Sequence, residues 1–354
     1  MEAIYRQFKL DGLPVSCTRY GHGHINETYL LVTNKPRLYV LQKINTYVFQ
    51  NAEGLMNNIV AVTDYLRKEE SDPRRVLTLV PTLEGKPYLK TESGEYWRLY
   101  DFITGSICLD QCETEADFYA SSIAFGDFQK CLAQFPAREL VETIPHFHDT
   151  PDRYRQLKEA IANNRAGRLG EVSREIDFYL AREEEAGALM KLLHQGELPL
   201  RVTHNDTKLN NVMLDEKTRE PLCVIDLDTV MPGLAANDFG DSIRFGASTA
   251  AEDERDLSKV TVSLSLYETY AKGFLGACGG GLTRTEIDTL PMGAKLMTLE
   301  CGVRFLADYL NGDVYFHVAR EGHNLDRART QMTLVADMEK KWDEMNAIIA
   351  RCRK

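Results

Sequence analysis

No stretch of this 354-residue chain approaches the roughly 20 apolar residues that a membrane helix requires, so no spanning segment is expected. The opening Met1-Glu-Ala-Ile-Tyr-Arg6 lacks the apolar core behind a basic start that marks a secretory leader. Basic residues are in the minority: 42 Lys and Arg stand against 53 Asp and Glu, a formal net charge of −11. A nucleic-acid partner needs a basic face to displace phosphate counterions, so none is expected, although a local basic pocket for a nucleotide stays open. The eight cysteines are scattered, and the nearest pair, Cys108 and Cys112, has neither zinc-ribbon nor redox spacing. They read as small buried hydrophobes in a reducing compartment, which makes a cytoplasmic location the expectation. Internal repeats and low-complexity segments are absent as well, and nothing calls for an obligate protein partner.

What is present is an ordinary globular composition, 44% apolar and 27% charged. The length exceeds what one hydrophobic core normally supports, so two lobes are expected. Residues 29–33 and 38–44 are β-rich runs separated by the turn signal Asn34-Lys-Pro36, which predicts a hairpin. Leu55, Met56, Ile59, Val60, Val62 and Leu66 recur near helical period, and residues 76–80, 87–90 and 96–103 read as three further strands. After Gly105 the character turns helical: about 115–134, 153–163, 172–193, 258–275, 285–310 and 326–350. The short runs 212–214 and 222–225 flank a turn at 215–221. The fold class expected is α+β, with a small antiparallel-sheet lobe over 1–103 and a larger, mainly helical lobe over 104–354.

The most informative stretch is Thr203-His-Asn-Asp-Thr-Lys-Leu-Asn-Asn-Val-Met-Leu214, followed by Val224-Ile-Asp-Leu-Asp228. Phosphoryl transfer asks for a carboxylate to orient and deprotonate the attacking hydroxyl, and for oxygen ligands that hold Mg²⁺ against phosphates. The spacing His-x-Asp-x-x-x-x-Asn supplies both on one short loop: Asp206 as base and Asn211 as metal ligand, with Asp226 completing a hard-oxygen site. His204 reads as a structural residue of that loop. Singly, each has a bland reading as a cap, turn or core residue.

This motif pair resembles that of the aminoglycoside phosphotransferase and choline kinase superfamily. The resemblance implies a bilobal protein-kinase-like fold, ATP as phosphoryl donor and Mg²⁺ as cofactor, with Asp206, Asn211 and Asp226 in the roles given above. Asp228 stands where some members carry a second acidic residue. The Phe-Gly after the metal Asp and the Ala-Pro-Glu segment of protein kinases are missing, which argues against a protein substrate. A narrower resemblance, to the bacterial N-acetylhexosamine 1-kinases, rests on Tyr20-Gly-His-Gly-His-Ile-Asn-Glu-Thr-Tyr29, Leu41-Gln-Lys-Ile-Asn45, Ile144-Pro-His-Phe-His-Asp149, the 204–214 stretch, Arg304 to Phe316 and His323 to Arg329. It implies phosphorylation of the anomeric hydroxyl of GlcNAc or GalNAc.

Within that frame, Gly21 and Gly23 lie at a hairpin tip where backbone could approach the triphosphate, though an ordinary hairpin loop would look alike. Lys43 stands where this fold places its phosphate-binding lysine, the bland alternative being a solvated strand lysine. Glu53 is the acidic residue available on the following helix to pair with it. Tyr100 to Ile103, with Tyr100 and Phe102, form the candidate adenine hinge. Arg304, Tyr315 and His24 are candidates for gripping the sugar, and Asp238 and Asp241 for bracing the catalytic loop. Two other functions remain open: a kinase of the same fold acting on choline, homoserine or an aminoglycoside, and a nucleotide-binding pseudokinase.

Overall fold

A computed structural model describes residues 1–21 and 25–353. The first part of the chain forms strands β1 (Pro14–Arg19), β2 (Glu27–Thr33), β3 (Leu38–Lys43), β4 (Leu89–Lys90) and β5 (Tyr96–Asp101). They make one antiparallel sheet in the order β1-β2-β3-β5-β4. Successive side chains of a strand point to opposite faces. Leu31, Tyr39, Leu41, Trp97 and Leu99 accordingly bury one face with Phe8 and Val80.

The sheet belongs to a compact unit that also contains residues 134–145 and 211–232. The helix Ala52–Leu66, capped by the Asn51 side chain on the Gly54 N–H, supplies it with the buried Asn58. That amide donates to the Val141 and Val230 carbonyls and accepts from the Val141 N–H. A second small sheet holds β6 (Ser106–Cys108), β7 (Val212–Asp215) and β8 (Pro221–Val224), paired antiparallel in that order. Residues 76–80 do not form the full strand expected: Leu79 makes a single bridge to Tyr100, and Pro81, without an N–H to give, ends the pairing.

The other unit, residues 109–133, 146–210 and 233–354, is helical. Its centre is the 22-residue helix Leu290–Asn311, which starts with Pro291 in its first turn and ends at Gly312 in the left-handed conformation. Gly240 and Gly293 let the helix Ala235–Gly246 press against it. A Cβ on Gly240 would stand 2.3 Å from the Gly293 carbonyl oxygen, and one on Gly293 would stand 2.0 Å from that of Ala236. Three helices expected from periodicity are broken. The 172–193 span divides into Ser173–Leu180, Glu183–Ala186 and Ala188–His194, the 285–310 span divides before Leu290, and the 326–350 span divides at Lys341. Among the described residues no helix is long and apolar enough to cross a membrane.

Candidate active site

The helical unit carries the loop with Asp206. Asn205 stands in the left-handed region at φ 64°, a conformation that costs a side-chain-bearing residue energy unless neighbours enforce it. Here the neighbours do. The buried Asp238 carboxylate accepts the His204 N–H at 2.9 Å and the Asn205 N–H at 2.8 Å. Asp241 accepts the Thr207 N–H at 3.0 Å, and Ser242 donates to the Thr207 carbonyl at 2.7 Å. Burial raises the Asp238 carboxyl above its usual range, against the pull of the two backbone donors. Both acids therefore brace the loop, as the sequence reading has them. His204 is fully buried, edge-on to Phe125 and Phe128, and its Nδ1 accepts the Asp206 N–H at 3.3 Å.

Sequence reasoning missed two groups beside this loop. Lys208 places Nζ 2.8 Å from Asp206 Oδ1, and that carboxylate, with Asp241 beyond it, pushes the lysine pKa up despite burial. Its position two residues after the Asp was the available signal. His148, from the Ile144 to Asp149 motif, approaches the Asn205 carbonyl with Nε2 at 3.1 Å and buried Glu300 with Nδ1 at 2.9 Å. Thr150 donates to the other Glu300 oxygen at 2.9 Å.

Arg304 lies one turn along the long helix from Glu300. Its guanidinium stands 5.5, 5.7 and 5.3 Å from the ring centres of Phe147, Tyr315 and Phe316. Asp308 fixes two of those rings by accepting the backbone N–H groups of Val314, Tyr315 and Phe316 at 2.9–3.0 Å. Arg153 joins the cluster, donating to the Phe147 carbonyl at 2.8 Å, and burial plus the Arg304 charge lower its pKa. Tyr315 remains exposed.

The sheet-bearing unit carries the candidate metal ligands. Val212 pairs with Val224, and the Ile225 N–H donates to the Asn211 carbonyl at 2.9 Å. The hairpin thus places Asn211 and Asp226 side by side at its open end. Asp226 is left-handed, φ 58°, and immediately precedes the short turn Leu227–Thr229. Among the described residues no group of three or more His, Cys, Asp or Glu could hold a metal. Two oxygen ligands at one end of a hairpin suit Mg²⁺, which keeps several waters and takes further oxygens from phosphates.

Asp228 is committed elsewhere: Oδ1 to Arg98 Nη1 at 2.5 Å and Oδ2 to Asn26 Nδ2 at 2.6 Å. Lys43 sits on the sheet face opposite Arg98, because it pairs with Trp97 and the neighbouring Gln42 pairs with Arg98. Its carboxylates are Glu95 at 2.5 Å and Glu27 at 3.9 Å. Glu53, the partner the sequence suggested, instead holds Lys90 at 3.0 Å and the Tyr96 hydroxyl at 2.9 Å. Of the hinge residues, Tyr100 is buried opposite Val40, and Phe102 donates its N–H to the Leu38 carbonyl at 3.1 Å. Gly21 is left-handed at φ 73°, whereas Gly23 and His24 lie outside the described residues.

Solved structures share this architecture along most of their length. The microcompartment-associated aminopropanol kinase aligns with a TM-score of 0.60 at 14% identity, covering 97% of this chain and 96% of its own. An aminoglycoside phosphotransferase from Alicyclobacillus acidocaldarius aligns at 0.61 and 12%, covering 99% and 95%. The amicoumacin kinase solved with AMP-PNP and Ca²⁺ aligns at 0.62 and 15%, covering 93% and 91%. Identities this low establish a common fold. The sequence itself carries the assignment: residues 16–271 match the phosphotransferase enzyme family, and the chain belongs to that family.

Proposed function

We propose that this chain is a small-molecule kinase that uses ATP and Mg²⁺ to phosphorylate the anomeric hydroxyl of an N-acetylhexosamine, GlcNAc or GalNAc, with Asp206 as catalytic base. The observation that carries the reading is the catalytic loop: a carboxylate on a strained backbone that Asp238, Asp241 and His148 hold from three sides. Phosphoryl transfer rewards this rigidity, since positioning and charge do most of the work. Asp206 would accept the proton of the attacking hydroxyl while Lys208, at 2.8 Å, keeps its carboxylate oriented. Asn211 and Asp226 would hold Mg²⁺, which when bound supplies positive charge against the phosphate oxygens.

The arginine cluster supports the acceptor class. Choline or an aminoglycoside is a cation and calls for carboxylates or an open aromatic cage. Here Arg304 stands among aromatic rings with Arg153 beside it, and the nearby Glu300 carboxylate is occupied by His148 and Thr150. Guanidinium donors beside aromatic faces suit a neutral sugar with hydroxyl and amide oxygens. Together with the N-acetylhexosamine 1-kinase motifs, this favours the sugar.

The test is purified protein with Mg²⁺-ATP and a panel of free hexosamines, choline, homoserine and an aminoglycoside, reading ADP release. ³¹P and ¹³C NMR of the product then locate the phosphate. Phosphate on C1 of GlcNAc or GalNAc is the expected result. Phosphate on C6, or turnover of another alcohol alone, would reject the anomeric assignment and leave the kinase. Nucleotide binding without any turnover would point to the pseudokinase.

A further inference from the structure

Cross-strand neighbours on β2, β3 and β5 form two adjacent rows with opposite fates. Glu27, Lys43 and Trp97 make one row, on the face whose other members bury Leu41, Tyr39 and Phe8. Thr28, Gln42 and Arg98 make the next row, on the other face. In that second row Gln42 Nε2 donates to the Thr28 hydroxyl at 3.0 Å, and Arg98 Nε donates to Gln42 Oε1 at 2.9 Å. Arg98 is 1% exposed, and its Nη1 reaches Asp228, whose side chain is 3% exposed.

Asp228 lies two residues after Asp226, inside the turn Leu227–Thr229 that follows the left-handed backbone of Asp226. Its second oxygen accepts from Asn26, and Asn26 in turn accepts the Asn45 N–H at 2.9 Å. One buried charge therefore ties together three segments: the middle of β5, the Asp226 turn, and the residue just before β2. Lys43, held by Glu95 and lying near Trp97, has no route to that turn from its side of the sheet.

We infer that Arg98, acting through Asp228, is the positioning residue of the nucleotide–metal site, and that Lys43 does not serve it. This rests on the kinase reading above. Arg98 touches neither nucleotide nor metal in this role. It fixes the backbone from which Asp226 projects, as the outer partners of a metal ligand do, and Gln42 keeps its guanidinium from turning away.

The test compares Arg98→Met/Asp228→Leu, Arg98→Lys and Lys43→Met with the wild type. The double change removes both buried charges, so neither is left unpaired. Losing an outer partner of a metal ligand typically costs about 10- to 100-fold. The double variant should therefore raise the Mg²⁺ needed for half-maximal rate by about tenfold or more, and weaken Mn²⁺ binding to the protein–AMP-PCP complex, read by EPR, to a similar degree. Its KM for the acceptor and its nucleotide affinity in EDTA should stay within about twofold of wild type, a split that a general loss of structure would not give. Arg98→Lys should fall in between, since an ammonium keeps the charge and loses the fork. Lys43→Met should match the wild type in all four measurements.

Wild-type metal dependence in the folded double variant, or a tenfold rise in the KM for ATP on Lys43→Met alone, would overturn the inference. Should the double variant not fold, Asp228→Asn carries the same comparison, because it removes the charge that Arg98 holds and keeps the side-chain shape. A wild-type protein that binds no Mn²⁺–nucleotide and turns over no acceptor would instead refute the kinase reading itself.

Discussion

His148 bridges two segments of the chain: its Nδ1 stands 2.9 Å from the Glu300 carboxylate and its Nε2 stands 3.1 Å from the Asn205 carbonyl. A carbonyl oxygen can only accept, and the Glu300 carboxyl is held below its usual range, burial opposing and the His148 charge prevailing. Nε2 is therefore the donor toward Asn205, and the Glu300 charge favours a proton on Nδ1 as well. The buried ring thus grips the backbone one residue before Asp206, and Glu300 and Asp241 both favour its protonated form.

That arrangement has a signed pH dependence. Burial lowers the His148 pKa and Glu300 more than offsets it, so the folded value lies above the ordinary one. The native state then binds the proton more tightly than the unfolded chain. The contribution is complete below about pH 6.5, the unfolded value, and fades as pH rises through the folded one. His148→Asn, which cannot carry the charge, should flatten that limb of a melting-temperature profile measured by calorimetry. Parallel profiles for variant and wild type would remove His148 from this role. Glu300→Gln, which removes the buried charge facing His148, should cost about 3–5 kcal/mol by chemical denaturation.

Asp206→Asn should retain the fold and nucleotide affinity, because the loop is held by Asp238 and Asp241 rather than by Asp206. Loss of proton acceptance and of part of the acceptor's orientation should lower kcat by about two orders of magnitude or more. Near-normal turnover would remove Asp206 as the base.

Asp226→Ala should abolish detectable transfer. Asn211→Ala should be milder, and raised Mg²⁺ should restore part of its rate, since water replaces a neutral ligand more easily than a charged one. Equal losses that added metal cannot recover would contradict this division.

Arg304→Ala removes the guanidinium that Phe147, Tyr315 and Phe316 surround. A lost hydrogen bond to a sugar oxygen is typically worth about 1–3 kcal/mol, so kcat/KM for the acceptor should fall by roughly 10- to 100-fold. The KM for ATP should hardly move. A change confined to ATP would place Arg304 outside the acceptor site.

Much of the fold is legible in the sequence. The β-rich runs around Asn34-Lys-Pro36 became the β2–β3 hairpin, and the apolar stripe from Phe118 to Leu132 became the helix Glu115–Cys131. Helix breaks were less legible, because apolar periodicity continues across Leu290 and Lys341 where the backbone does not.

The chain by itself carries the motif on which the proposed reaction chemistry rests. The order His204, Asp206, Asn211, Asp226 carries its own spacing, and the short-range geometry of a loop and a hairpin suffices to aim those side chains. Partners across long sequence separations were decided by tertiary structure alone: Glu300 for His148, 152 residues away, and Asp228 for Arg98, 130 residues away. Lys43 shows the reason most clearly. Strand alternation separates it from Gln42 in the sequence, yet which of the two faces the Asp226 turn depends on how the sheet is covered. Phe8, far back in the chain, closes over the Lys43 side, and that packing leaves the opposite row to Arg98.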